Sequence, residues 1–515
     1  MRIRIRGAVA AMSATLAVTL TLAGCGGTNT SESTGSSGGS AGGTLTIGAV
    51  FDNNSFDRAA LEIGNRIQYW MPVFDTLLVL DDKTQPQPNL ATEWSYNDDR
   101  TELDLTLREG VTFTDGTPFD AEAVKANLSY LAEGNGQNSY MAASIESYDI
   151  ASPSEITLNL SAPDPGLIGY LGVVGGAMAS PKTLTDDPAS ATTPVGSGPY
   201  TLDASATTPG TQYTYVRNPD YWNAEAFPYD TLVLKPIPDA TARLNALKSG
   251  QVDVGAIEPK SVAEAEGSNL SLSRVAVDWQ GLFIADRAGE KIPALGDVRV
   301  RQAINYVFDK ESILKNLQLD EGTVTSQTFN QASPANVPDL DDYYTYDLAK
   351  AQQLMADAGY ADGFTVTMPD FAAFPQYAPV IQQQLAQINI TVDFVKVSAD
   401  ATISEVLSGK FPMFWFSLGS QSPWQDLRKF GFTESPWNTS HVDDPAMDAM
   451  LAAAQVAEGD EQTQEFQKIN TYMVENAWFA PWYRVNIIIA HKPTVDVTVN
   501  PYNAVPWISG FTPAS

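Results

Sequence analysis

Side chains able to attack a substrate, relay a proton or hold a metal are few in this chain. It contains one cysteine, Cys25, and two histidines, His441 and His491. There is no Gly-x-Ser-x-Gly turn to expose a nucleophilic serine, no His-Glu-x-x-His pair for zinc and no pair of cysteines. Two imidazoles are a thin basis for a nickel or zinc site, so each histidine reads as a surface or loop residue and no metal or other cofactor is expected. Acidic residues number 61 against 30 Lys and Arg. Pairs of carboxylates therefore arise by abundance and carry no signal for glycosidase chemistry. The chain does not read as an enzyme. What remains is non-covalent chemistry: aromatic rings beside amides and hydroxyls, the groups that suit a partly apolar, hydrogen-bonding ligand.

The net charge of −31 repels phosphate backbones, which argues against nucleic acid as a partner. It suits a soluble body outside the cell, kept apart from its copies by like charge. With a single cysteine no disulfide within the chain is possible, so apolar burial and hydrogen bonding must hold the fold.

Residues 1–25 carry Arg2, Arg4 and Arg6, then an apolar run from Ala8 to Ala23, then Gly24 and Cys25. A basic start before a short apolar stretch reads as a secretory signal. Leu22-Ala23-Gly24-Cys25 resembles a bacterial lipobox. That resemblance implies a diacylglycerol on the Cys25 thiol and cleavage before it, giving an extracytoplasmic protein anchored to the membrane by its acyl chains. Residues 26–43 hold Gly, Ser and Thr without a large apolar side chain, and read as a tether.

Beyond the tether, Thr44–Val50 alternates and reads as a strand. Three amphipathic helices follow Asp120, Asp297 and Asp347, each an N-cap residue. Their apolar positions include Val124 and Leu128, Val300, Ile304 and Phe308, and Leu354 and Met355. Residues 245–257 and 406–417 share one order: helix end, glycine stop, apolar strand. Such joints are typical of α/β layers and suggest two α/β lobes. Arg299 and Arg301, on the first turn of the second helix, read as surface or interlobe ion-pairing groups, with ligand contact as the alternative.

Several segments in order carry a resemblance across nearly all of the chain after the tether. They are Leu90-Ala-Thr-Glu-Trp94, Leu107-Arg-Glu-Gly-Val-Thr-Phe-Thr-Asp-Gly-Thr-Pro118, Pro194-Val-Gly-Ser-Gly-Pro-Tyr200, Arg217-Asn-Pro-Asp-Tyr-Trp222, Asp297-Val-Arg-Val-Arg-Gln-Ala303, Tyr346-Asp347 with Ala358-Gly-Tyr360, and Asn438 ahead of Asp444-Pro445. The chain resembles the family 5 extracellular solute-binding proteins, which serve peptide, nickel and related ABC importers. The resemblance implies an α/β, two-lobed, periplasmic-binding-protein-like clamshell of type II, cluster C-like, that closes over its ligand and meets the importer's permease. Lobe I would comprise 44–285 and 482–515, with a subdomain near 82–193, and lobe II 286–481. A monomer is expected.

In such a clamshell the ligand groups belong at strand ends and at the crossings between lobes. Four segments qualify. The first supplies Phe51 and Asn53, and the second Trp279, Gln280 and Phe283. The third supplies Trp415, Ser417, Ser420, Gln421, Trp424 and Gln425, and the fourth Trp482 and Tyr483. Core burial is the alternative for every aromatic among them. Dipeptide-binding members commonly hold the ligand amine with an Asp after Gly-Trp near the third segment, and its carboxylate with an Arg in the loop matching 368–379. Here the third segment has Gly419-Ser420-Gln421, and the loop has no Arg. Buried unpaired charges are costly, so a free dipeptide fits poorly. A longer peptide held by its backbone, or a neutral oligosaccharide, fits better, with Asp370, Asp426 and Arg428 as possible anchors. A ligand sensor in place of a transport component stays open.

Overall fold

Thr44–Ala49 is a strand that buries Leu45 and Ile47 and pairs in parallel with Thr231–Pro236 and Val254–Ile257. It opens the described part of the computed structural model, which covers residues 42–514 apart from 82, 135, 186, 399 and 400. The signal segment, Cys25 and tether residues 26–41 lie outside the described residues.

The central sheet runs in the order Met413–Gly419, Ser271–Ile284, Phe479–His491, Val254–Ile257, Thr44–Ala49, Thr231–Pro236, Tyr213–Arg217, Tyr200–Leu202. Gly322–Val324 adds to Phe479–His491. Two strands set the architecture. Ser271–Ile284 has 14 residues and Phe479–His491 has 13. At about 3.3 Å per residue each spans roughly 45 Å, enough to run through two cores. Along one half, Ser271–Ala276 pairs with 486–491, beside a core that includes Val254 and Ile489. Along the other half, Asp278–Ile284 lies between Met413–Gly419 and 479–485. A register shift between Ala276 and Asp278 separates the halves. Such an irregularity bends a strand.

In the second half the sheet is covered on both faces. Leu282, Ile284, Trp415 and Trp482 pack on one side, with the helix Val298–Val307 and Tyr377. Trp279, Phe283, Phe414 and Phe479 pack on the other. Strands buried on both faces are apolar at nearly every position, which explains the run Met413-Phe-Trp-Phe416.

The helix-glycine-strand joints form as the sequence suggests. Ala240–Lys248 and Thr402–Leu407 are each followed by a glycine in the left-handed region, Gly250 (φ 74°) and Gly409 (φ 71°), and then by a sheet strand. The three capped helices are Ala121–Glu133, Val298–Val307 and Leu348–Asp357. Asp120, Asp297 and Asp347 accept backbone N–H groups of Ala123, Arg299 and Lys350. The second ends at Val307, with Phe308 as its extended C-cap.

Ala91–Tyr96, Glu102–Leu107, Glu155–Leu160 and Ile145–Ser152 form a separate antiparallel sheet under Ala121–Glu133. Three of the segments that carry the family resemblance fasten it to the central sheet. The buried Asp75 carboxylate accepts the Asn89 amide at 2.6 Å, the Tyr221 hydroxyl at 3.1 Å and the Trp222 indole N–H at 3.0 Å. Burial raises the Asp75 pKa, and these donors oppose the shift. The Arg108 guanidinium lies 3.7 Å from the Trp222 ring centroid. In Pro194–Tyr200 the glycines serve close backbone approach: a Cβ on Gly196 would fall 2.0 Å from the Val73 carbonyl oxygen. Arg299 pairs with Asp297 at the helix surface. Arg301 is different: it is buried, and donates to the carbonyls of Leu295, Gly296 and Asn476 without a carboxylate partner. It holds a lobe together internally.

Candidate functional site

A crevice runs between residues of the two lobes in two compartments that share Thr84 and Ser422. The inner one is lined by Ile63, Ile67, Leu80, Asp81, Thr84 and Val173, by Gln421, Ser422 and Gln425, and by Asn500, Tyr502, Asn503 and Trp507. The outer one lies between the small sheet (Trp94, Ser95, Tyr96, Arg100) and Trp424, Glu458, Gln462 and Phe466.

The wall built by 419–425 is fixed by its own chemistry. Ser422 caps the helix Pro423–Phe430: its N–H and hydroxyl donate to Gln425 Oε1 at 3.2 and 2.8 Å. The Gln421 N–H donates to both Asp426 oxygens, at 3.0 and 3.1 Å. Lys429 Nζ donates to Asp426 Oδ1 at 2.9 Å and to the Gly419 carbonyl at 2.8 Å. Burial raises the Asp426 pKa, and Lys429 opposes this. Asp426 is therefore occupied in holding the wall. Asp370 pairs with Lys396. The Arg428 guanidinium lies 4.9 Å from the Phe432 ring centroid.

The lobes touch beside the outer compartment. Arg100 Nη1 donates to the Ala457 carbonyl at 2.7 Å, at the C-cap of the helix Pro445–Val456, and lies 3.6 Å from Glu458. Gln455 Nε2 donates to the Pro163 carbonyl at 2.8 Å. The ionisable side chains at this rim thus face each other.

Of the sequence-predicted residues, Gln421, Trp424 and Gln425 line the crevice. Ser420 is buried behind it, its hydroxyl directed at the Thr328 carbonyl. Gln280 and Ser417 are half-buried cross-strand partners: Gln280 Nε2 donates to Ser417 Oγ at 3.3 Å, and the Tyr377 hydroxyl donates to Gln280 Oε1 at 2.8 Å. Trp279, Phe283, Trp415, Trp482 and Tyr483 are core side chains, none more than 2% exposed. Trp279 stacks on Phe283 at 4.9 Å and Trp415 on Tyr377 at 3.6 Å. The reason is the two-sided cover of this sheet, which leaves its strands no face toward the crevice. Phe51 is exposed under the Arg66 guanidinium, and Asn53 is half-buried; neither lines the two compartments. Sequence reasoning missed Asn500, Tyr502, Asn503 and Trp507, although aromatics and amides among prolines after the last long strand were a usable signal.

The chain's sequence agrees with this arrangement at the level of a whole family. Residues 85–438 match the bacterial extracellular solute-binding proteins, family 5. The chain belongs to that family. This family 5 protein is a substrate-binding component of an ABC transporter, a binding protein rather than an enzyme, that works with a permease outside the cytoplasm. It is 26% identical over 444 residues to the glutathione-binding protein GsiB of Salmonella paratyphi A, covering 81% of this chain and 84% of that one. Its fold matches HbpA2 from Haemophilus parasuis with a TM-score of 0.79 at 20% identity, covering 92% of this chain and 100% of that one. It also matches the oligopeptide-binding protein AppA of Bacillus subtilis, solved with a nonapeptide, with a TM-score of 0.71 at 20% identity, covering 93% and 100%. Among the described residues, no helix is long and apolar enough to cross a membrane and no group of three His, Cys, Asp or Glu side chains could hold a metal ion.

Proposed function

We propose that this family 5 protein is a monomeric lipoprotein, anchored through Cys25, that captures an oligopeptide between its lobes and delivers it to the permease. The working boundaries are 44–285 with 482–515 for lobe I, its subdomain near 82–193, and 286–481 for lobe II. The observation that carries the ligand class is the crevice lining. Amides, hydroxyls and indoles from both lobes face it, while Asp426 is engaged with Lys429 and Arg100 with Ala457 and Glu458. Among the described lining residues, no cation and anion are left over for the two ends of a dipeptide. Uncharged backbone groups of a longer peptide match the lining, and the nonapeptide bound by AppA supports a fold with room for one. In this reading Gln421, Trp424 and Gln425 contact the ligand directly.

A neutral oligosaccharide is the second reading, favoured by the Trp94 and Trp424 indoles across the outer compartment. Protein purified without denaturation, then unfolded, should release peptides identifiable by mass spectrometry. Release of sugars alone would sink the peptide reading. For the anchor, Cys25→Ser should shift the protein from the membrane fraction to the medium.

A further inference from the structure

The inner compartment contains two buried polar atoms that the fold leaves without partners. Asn503 is 4% exposed. Its Nδ2 donates to the Val505 carbonyl at 3.0 Å, which orients the amide and makes Oδ1 the open end. That Oδ1 has no hydrogen-bond partner, and neither has the buried indole Nε1 of Trp507. Both residues line the inner compartment. A buried donor or acceptor left unmade costs about 1–3 kcal/mol, and native interiors rarely tolerate one. Two on one short segment, both in residues that line one cavity, point to an occupant that completes them.

The segment is held ready. Gln68 Nε2 donates to the Pro506 carbonyl at 2.9 Å, and Asn330 Nδ2 to the Pro501 carbonyl at 3.0 Å, so groups from both lobes fix it. The charge content of the compartment narrows the ligand. Among the described residues, no lysine, arginine or histidine lines it. The carboxylate among its described lining residues, Asp81, accepts the N–H groups of Lys83 and Gln85 and the Gln87 amide, all within its own turn. An occupant here should be uncharged and bring an N–H and a C=O together, which is the pattern of a peptide group.

We propose, building on the reading of this protein as an oligopeptide binder, that residues 500–507 form a ligand-binding element. Asn503 Oδ1 accepts the N–H, and Trp507 Nε1 donates to the C=O, of an internal part of the peptide backbone. The charged peptide ends lie outside the inner compartment. Selectivity for tripeptides and longer follows, because a dipeptide would have to bring its carboxylate end into a compartment where no described side chain is cationic.

The test uses a tryptic digest of casein as the probe. The unsubstituted protein, Asn503→Asp and Trp507→Phe are each mixed with the digest and separated from free peptide by gel filtration. Retained peptides are then quantified by mass spectrometry, with a thermal melt for each protein. The unsubstituted protein should retain tripeptides and longer. Trp507→Phe, which keeps an aromatic ring and removes only the donor, should retain about tenfold less with its melting temperature unchanged. Asn503→Asp, which places a charge in the cavity, should lose at least as much. Equal retention by both variants, or losses seen only where the melting temperature also falls, would overturn the role of this segment while leaving the oligopeptide reading intact. No peptide retained by the unsubstituted protein would overturn both.

Discussion

Lys429 and Asp426, one helical turn apart, clamp the loop that faces the crevice. The ammonium sits 2.9 Å from the carboxylate and 2.8 Å from the Gly419 carbonyl, while the carboxylate accepts the Gln421 N–H. Asp426, in sequence a candidate ligand anchor, is here part of the brace of a binding wall. Its effect on affinity is indirect, through the position of Gln421 and Gln425.

Lys429→Met removes the brace and leaves Asp426 buried without its cation. Stability should fall by about 3 kcal/mol, because breaking a buried pair strands one charge. Urea unfolding checks this. A loss under 1 kcal/mol would mean that the Gln421 N–H alone satisfies Asp426.

The two tryptophans of the second and third candidate segments should separate. Trp279 stacks in the core against Phe283, so Trp279→Ala should cost about 3–5 kcal/mol of stability. Trp424 borders the outer compartment, so Trp424→Ala should weaken ligand binding by roughly 1–3 kcal/mol. Thermal melts and titration with the ligand recovered from the purified protein give the two readouts. Identical behaviour of the two variants would contradict the placement.

Trp222→Phe leaves Asp75 with one donor fewer and keeps most of the ring under Arg108. A stability loss of about 1.5–3 kcal/mol is expected, the usual scale for a hydrogen bond to a charged acceptor. Hydrogen exchange of the strands Ala91–Tyr96 and Glu102–Leu107 should rise with it if Asp75 fastens the small sheet.

Lys310 supplies a pH dependence. Burial lowers its pKa from 10.5 to about 7, against the pull of Asp341 and Asp342; its Nζ donates to the Thr325 carbonyl and Ser326 Oγ. Between about pH 7 and 10.5 the unfolded chain holds a proton here that the folded chain has released. The unfolded state binds more protons, so this residue's contribution to stability rises with pH across that window. The stability of the protein relative to Lys310→Met should therefore increase from pH 7 to pH 10. A difference that is flat or falls with pH would show that the folded ammonium stays charged.

Arg100→Ala removes the contact to the Ala457 carbonyl at the rim. If that contact favours closure, the radius of gyration of the ligand-free protein should grow in solution scattering. An unchanged value would leave the closed form to other contacts.

By itself the sequence determined what short-range geometry decides. The capping aspartates Asp120, Asp297 and Asp347 and the joint glycines Gly250 and Gly409 act on backbone within a few residues, so their roles were readable before any contact was known. The ordered segments were enough to indicate the family, and the missing acid and arginine to argue against a dipeptide. Tertiary structure alone decided which aromatics face the ligand. Trp279 pairs across the sheet with Arg484, and Trp415 stacks on Tyr377; both lie in a sheet covered on two sides, and alternation along one strand does not reveal how many faces its partners cover. It also brought Asn503 and Trp507 to the crevice, since the position of a terminal segment depends on distant groups such as Gln68 and Asn330.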